Sequence, residues 1–446
     1  MPTLALSMIV KDAERELPDC LASVRGIVDQ IVVADTGSID STVEVARESG
    51  AEVTSIPWEN DFSRARNLAL EQVTCDWVLV LDADERLDPN ATAAIKRHLS
   101  KKNVAGYQVT IRNYRFSLTE KVWDRPAKPN DSQYPSARRY PAYVDHENVR
   151  LFRHDPQIYF VGRVHESVGP RILETGRKLG AADFLIHHFG MVADDQTMAR
   201  KLHLYRELGR QKLAETPNDA QAHLEAGIVE LENFGNAAIA LQHFERSCEL
   251  NSKLGVAWFF AGKSQFQLGR YPDALLSFER AEVVGHGTAA AAELAGDSNY
   301  NLGNYEAAAD CYRRSLKRAP GRASVESKLG LAEARGGNAV SALKRLHRAI
   351  EKEPANPELH DRLIMVEVWL NHLPDAAKAA EAKLAAVSPR AEDYLRAASI
   401  YAQMSDWARA AEILRSGFTT YSHSESLREN LAKVEHVLRA LSAPSR

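Results

Sequence analysis

At 446 residues, with 45% hydrophobic and 26% charged residues, the chain is long enough for two or more domains, each with its own core. Its formal net charge of −4 is small for that length, which excludes a global field drawing nucleic acid or an anionic membrane surface. The four cysteines form no CxxC pair and no apolar stretch reaches the roughly 18 residues of a membrane span. Zinc ribbons, disulfide scaffolds and stable membrane insertion are therefore unsupported, and a cytoplasmic protein is expected. In chain order, Leu4–Val10 is an apolar run predicted as a strand; it lacks a basic leader and runs straight into Lys11. Leu17–Val28 reads as a helix, and QIVVADTGS as a buried strand ending in turn residues. Asp40 caps a helix over Thr42–Ser49, Ala51–Ile56 is a short strand, and Phe62–Gln72 is a helix. Asp76–Leu81 is another buried strand that stops at Asp82. This alternation predicts an α/β domain, a mostly parallel sheet with helices on both faces, which binds ligands beyond the carboxyl ends of its strands.

The second half repeats itself. Ala240, Ala274, Ala308, Ala342, Ala376 and Ala410 recur at a period of 34 residues, as do Gly262, Gly296 and Gly330, and Phe244, Phe278, Tyr312 and Leu346. Small residues where two helices cross, with a bulky residue further along, are the tetratricopeptide pattern of an all-α solenoid. Pro320 and Pro354 end their repeats. The predicted organisation is an α/β domain over 1–195, a linking helix over 196–218, about six repeats over 219–423, and a closing helix and tail over 424–446. Trp258, Phe259, Phe260 and Tyr271 are read mainly as inter-repeat core, with a ligand groove as the alternative.

Neither GxGxxG nor GxxxxGK[ST] occurs, so a phosphate-handling enzyme of this shape needs another means of neutralising charge. Asp82-Ala83-Asp84 follows a buried strand and sets two carboxylates at its tip, and Glu85 adds a third acid. Such a cluster repels itself unless a cation or ligand is expected. A solvated acidic turn is the alternative.

The segments SMIVKDAERELPDCLASV, IVVADTGSIDST, DFSRARNLALE and DWVLVLDADERLDP, in that order, resemble the motifs of family 2 glycosyltransferases of the GT-A fold. The similarity is greatest to the bacterial branch with C-terminal tetratricopeptide repeats, which includes bacteriocin peptide S-glycosyltransferases. NVRLFRHDPQIYFVGRVHESV and IHHFG resemble that branch's later motifs. The resemblance implies that Asp35 reads the nucleotide base, with Thr36, Gly37 and Asp40 shaping its loop. It places Arg66 and Asn67 beside the base and diphosphate, Asp82 on the ribose and Asp84 on a divalent metal. Glu166 is the implied catalytic base, with His165 beside it to orient it, contact a phosphate or fill core. His188 or His187 is the implied third metal ligand or phosphate contact; a surface pair with Arg163 is the alternative for Glu166. Lys11-Asp12-Ala13-Glu14 departs from the branch's Lys-Asn-Glu-Glu, and the Pro-, Arg- and Tyr-rich stretch Asn113–Asp145 is expected as an acceptor-side loop.

The resemblance thus implies an inverting transfer of sugar from a nucleotide diphosphate, UDP by family, assisted by Mn²⁺ or Mg²⁺, whose oxygen ligands suit hard cations. A protein or peptide acceptor recruited by the repeats is the leading expectation. The alternatives are a lipopolysaccharide or polysaccharide acceptor, a non-catalytic repeat scaffold, and repeats that serve homodimerisation instead of acceptor choice.

Overall fold

The computed structural model describes residues 2–117, 121–122, 125–190 and 195–442, and the chain divides into two compact units, 1–235 and 236–446. In the first, strands β1 (Leu4–Val10), β2 (Gln30–Asp35), β3 (Glu52–Ser55) and β4 (Trp77–Val80) alternate with helices α1 (Leu17–Ser23), α2 (Thr42–Glu48) and α3 (Phe62–Leu70). These strands pair in parallel in the order β3-β2-β1-β4. They read as near-continuous apolar runs because both sheet faces are covered. Leu17, Cys20 and Leu21 of α1 pack with Leu4, Leu6 and Leu79 on one face; Ala65, Ala69 and Leu70 of α3 pack with Ala5, Val32 and Val78 on the other.

The chain continues through β5 (Glu85–Leu87), α4 (Ala91–Leu99), β6 (Val104–Arg115), β7 (Lys121–Val122) and β8 (Arg125–Pro126), which form a separate two-stranded ribbon, then β9 (Lys128–Pro129), β10 (Ala142–Arg153), α5 (Gly169–Glu174) and β11 (Lys178–His188). β10 runs antiparallel to both β4 and β6, while β11 runs parallel to β6 and antiparallel to β5. The expected mostly parallel sheet is therefore mixed. The reason is that β6 and β10 are joined without a crossover helix, so the chain returns beside itself in the opposite direction. The stretch Asn113–Asp145 is likewise a loop only in its middle. Asn113 pairs with Val144, Tyr114 with Tyr143 and Arg112 with Asp145. Within it, residues 118–120 and 123–124 lie outside the described residues, as do 191–194 at the predicted domain junction and the tail after 442.

Helices α6 (Asp195–Glu215) and α7 (Ala220–Ile228) follow, α7 running into a single π turn, Val229–Asn233. The predicted linking helix and the start of the predicted repeats thus lie in the first unit. Arg206 of α6 makes a two-pronged pair with Glu230, at 2.6 and 2.9 Å.

Among its described residues the regular structure of the second unit is helical: α8 (Ala237–Leu250), α9 (Gly255–Gln267), α10 (Tyr271–Val283), α11 (Ala289–Asn301), α12 (Tyr305–Arg318), α13 (Ala323–Arg335), α14 (Ala339–Lys352), α15 (Pro357–Trp369), α16 (Leu373–Ala386), α17 (Ala391–Gln403), α18 (Trp407–Thr420) and α19 (Glu425–Ser442). The periodic glycines have a packing cause. A Cβ on Gly262 would lie 2.7 Å from the Phe278 ring, and one on Gly296 would lie 2.5 Å from Tyr312. Phe259 and Phe260 are fully buried, while Trp258 donates from Nε1 to the Ser252 carbonyl at 2.9 Å and Tyr271 rests on Phe266. Among the described residues, no helix is long and apolar enough to cross a membrane.

Candidate active site

The parallel strands β1, β2 and β4 bring their carboxyl ends to one edge, and the sequence-predicted polar residues gather there. After β2, the buried carboxylate of Asp35 accepts from the backbone N–H of Gly37 and of Ser38, each at 3.1 Å. Thr36 donates from its hydroxyl to the Val10 carbonyl at 3.0 Å, tying the turn to β1. Gly37 has φ +104°, a conformation that a side chain would strain. The departed motif at 11–14 fastens this loop from the other side. Asp12 accepts from Ile39 N–H at 2.8 Å, and Glu14 accepts from Ser41 N–H at 3.1 Å. Asp40 accepts from the N–H groups of Glu14 and Thr42, and from the Thr42 hydroxyl. Burial works against its charge, but these hydrogen bonds outweigh it and hold Asp40 below the ordinary carboxylate value.

Beyond β4 the charges are interlocked. Arg66, on the inward side of α3, donates from Nη2 to Asp82 Oδ1 at 2.7 Å and from Nε to Glu166 Oε1 at 2.6 Å. Arg150 donates to the other oxygen of Asp82 at 3.1 Å and to Glu85 at 2.8 Å. Glu85 in turn accepts from the Asp82 N–H at 2.9 Å. Burial opposes charge on Asp82, but Arg150 and Arg66 together hold its carboxyl far below the usual range. Glu85 is the reverse case: burial drives its carboxyl above the ordinary value, and the opposing Arg150 does not cancel that rise. Arg66 Nη1 and Arg150 Nε are buried with no protein partner, so the cluster holds donors not spent on the fold.

Arg150 carries this network without having been singled out in the sequence, and Glu85, read there as the third acid of the strand-tip cluster, is its partner. Arg150 lies between buried Val149 and Leu151, and a β-bulge between those two breaks the register with β6. Bulges re-aim side chains. The signal was an arginine inside an apolar strand; its target was not legible.

Glu166 sits on a tight loop closed by mutual backbone hydrogen bonds of Val161 and Ser167, both 3.1 Å. His165 adopts φ +55°, an uncommon backbone conformation for a residue with a side chain, and its ring lies nearly parallel to that of Tyr205. Arg163 pairs with Glu215, so the surface pair with Glu166 does not form. Asn67, expected beside the diphosphate, spends both ends of its amide on the Phe160 backbone, accepting at 2.8 Å and donating at 3.0 Å. It fastens the start of the Glu166 loop to α3.

The two histidines separate as alternation along a strand requires. His187 is 1% exposed, bonded to Asp88 at 3.0 Å and Tyr114 at 2.7 Å, and stacked on Tyr134. His188 pairs across to Glu85 on β5 and sets Nε2 3.1 Å from Asp84 Oδ2, while its Nδ1 lies 2.5 Å from Asn113 Oδ1. Because that amide oxygen can only accept, Nδ1 carries a proton, and Nε2 is the ring nitrogen that faces Asp84. Burial disfavours charge on His188, but the Asp84 hydrogen bond and charge outweigh it and raise its pKa. Among the described residues no group of three or more His, Cys, Asp or Glu could hold a metal ion. Asp84 and His188 are neighbouring oxygen and nitrogen donors, fewer than the ligands a divalent cation needs.

Residues 6–157 match the sequence model of glycosyl transferase family 2, and residues 289–322 match a tetratricopeptide repeat. A TPR repeat-containing protein of Synechococcus elongatus is 34% identical over 226 residues, 49% of this chain and 50% of that one. The SPbeta prophage-derived glycosyltransferase SunS of Bacillus subtilis is 28% identical over 167 residues, 37% of this chain and 34% of its own. The alignments thus span half or less of the length of these curated relatives. A solved tetratricopeptide repeat protein from Parabacteroides merdae aligns with 54% of this chain and 95% of its own at 16% identity, with a TM-score of 0.42. The chain carries a glycosyltransferase family 2 domain at its N-terminus, followed by a tetratricopeptide-type solenoid.

Proposed function

We propose that the protein is a metal-dependent inverting glycosyltransferase that moves a sugar from a nucleotide diphosphate, UDP being the expected nucleotide, to a protein or peptide side chain recruited by the repeats. The observation that carries this reading is the bridge made by Arg66 between Asp82 and Glu166, with Asp84, in the turn before β5, beside His188 at the end of β11. Asp35, Thr36, Gly37 and Asp40 take the base and ribose end of the donor, and Asp82 the ribose. Arg66 offers its unpartnered Nη1 to the donor's oxygens. Asp84 and His188 would hold the divalent cation, which when bound stabilises the negative charge developing on the departing diphosphate.

The acceptor attacks the anomeric carbon from the face opposite the diphosphate, a new bond forms there, and the bond to the leaving phosphate oxygen breaks. Glu166, oriented by Arg66 through Oε1, takes the acceptor's proton. Four buried free cysteines suit a reducing compartment, and we place the reaction in the cytoplasm. The protein acceptor is supported by the repeat array, a common scaffold for extended binding surfaces.

The test is release of nucleotide diphosphate by the full chain from a panel of nucleotide sugars, with Mn²⁺, Mg²⁺ or chelator, and mass shifts on candidate peptides. Asp84→Asn is expected to remove the metal stimulation, and Glu166→Gln to lower transfer by about 10²–10⁴ with donor binding kept. Turnover indifferent to chelator and to Asp84→Asn would overturn the metal assignment.

A further inference from the structure

Three of the five residues between Val161 and Ser167 are held by helix α6. Arg163 reaches back to the Asn60 carbonyl at 3.0 Å and forward to the carboxylate of Glu215 near the end of α6. His165 lies parallel to Tyr205, which also stacks on Phe62 with centroids 6.0 Å apart. The third contact is the least expected. Lys212 directs Nζ to the Val164 carbonyl at 3.4 Å and to Glu225 on α7 at 2.7 Å. Its side chain is 13% exposed and that of Glu225 is 10% exposed. Gln221 donates to the second oxygen of Glu225 at 3.0 Å, fixing the carboxylate from behind.

A nearly buried lysine–glutamate pair is a poor way to gain stability, because apolar side chains of the same volume commonly serve as well or better. What such a pair does supply is direction: a charged donor held by a fixed carboxylate defines where one backbone carbonyl must sit. That carbonyl belongs to Val164, two residues before Glu166, on a loop with no other regular structure. We propose that Lys212, fixed by Glu225, is a positioning residue that sets the Glu166 carboxylate for proton transfer, so that α6 and α7 work as a brace for the catalytic loop. This rests on the reading of Glu166 as the base. The family match ends at residue 157 and so covers neither Glu166 nor its brace.

The experiment compares full-length Lys212→Met, Lys212→Arg, Glu166→Gln and the Lys212→Met/Glu166→Gln double variant. Met keeps the stem and volume of lysine while removing the charge. Lys212→Met is expected to lower kcat for transfer about 10-fold or more, since small misplacements of reacting groups are costly, with KM for the donor unchanged. Lys212→Arg should recover much of that loss. In the Glu166→Gln background the Lys212→Met change should cost nothing further, because its effect passes through Glu166. Lys212→Met/Glu225→Gln, which leaves no unpaired buried carboxylate, must show the same kcat loss and guards against a merely unstable single variant. Parental kcat in both Lys212 variants, or an equal loss with and without Glu166, overturns the positioning role. Parental transfer by Glu166→Gln alone overturns the assigned base as well, and is visible without any change at Lys212.

Discussion

Arg66 Nε and Glu166 Oε1 lie 2.6 Å apart although the residues are 100 positions apart in the chain. One planar guanidinium thereby holds a carboxylate from the strand-end acidic motif and another from the late loop, and no compact side chain can span both. Lysine offers one ammonium where arginine offers a fork. Arg66→Lys is expected to lose transfer nearly as fully as Arg66→Met. Arg66→Met also removes the cation that Asp82 and Glu166 share, and should unfold at lower temperature than Arg66→Lys. Nucleotide-diphosphate release read beside thermal melts checks both halves; near-parental activity in Arg66→Lys would show that the fork is not needed.

His187 and His188 are adjacent in sequence, yet their substitution should have different consequences. His188→Gln removes the Nε2 that faces Asp84, so metal-stimulated turnover should fall at least tenfold with little change in melting temperature. His187→Gln instead disturbs the contacts to Asp88 and Tyr114, for a stability loss of about 1–3 kcal/mol. Titrating Mn²⁺ against turnover for each variant separates the two. Equal metal dependence in both would contradict the geometry.

The solenoid should be acid-labile. Glu333 accepts from Arg313 at 3.0 Å, Arg345 at 2.9 Å and Ser341 at 2.6 Å, and Asp393 accepts from Lys383 at 2.5 Å. Burial works against both charges, but these partners outweigh it and hold both carboxyls below their ordinary values of 4.5 and 3.8. Between the ordinary and the folded value the unfolded chain binds protons that the folded chain refuses, so stability falls as pH falls. The contribution is complete above about pH 5 and drains as pH drops through the folded values. Thermal melts from pH 7 to 3 should show this, and Glu333→Gln should flatten the acid limb while costing about 1–3 kcal/mol at neutral pH. A melting temperature independent of pH across that range would count against it.

Gly296→Ala tests the repeat packing directly. The added methyl would meet Cε1 of Tyr312 at 2.5 Å and Cδ1 at 2.7 Å, and Tyr312 is itself buried and bonded to Asp297 at 2.7 Å. Overpacking of this kind costs about 1–3 kcal/mol. Pairing Gly296→Ala with Tyr312→Leu should recover part of the loss in a denaturant melt; no recovery would place the strain elsewhere.

The sequence by itself determined the alternation of β1 to β4 with their helices, the repeat period and its crossing glycines, and the acids at the tip of β4. Each is written in local periodicity: apolar runs mark strands covered on both faces, and small residues recur where helices must touch. Tertiary structure alone decided the partners. A bulge at Arg150 turns it toward Asp82 and Glu85, the pairing of β11 with β5 sets His188 rather than His187 beside Asp84, and Asn67 is drawn to Phe160. The return of β10 against β4 made the sheet mixed, and α6 came to brace Val164 through Lys212. These depend on register and on loops that close over long separations. A one-residue slip along a strand reverses which side chain faces the site, and nothing in a local pattern of apolar and charged residues records that choice.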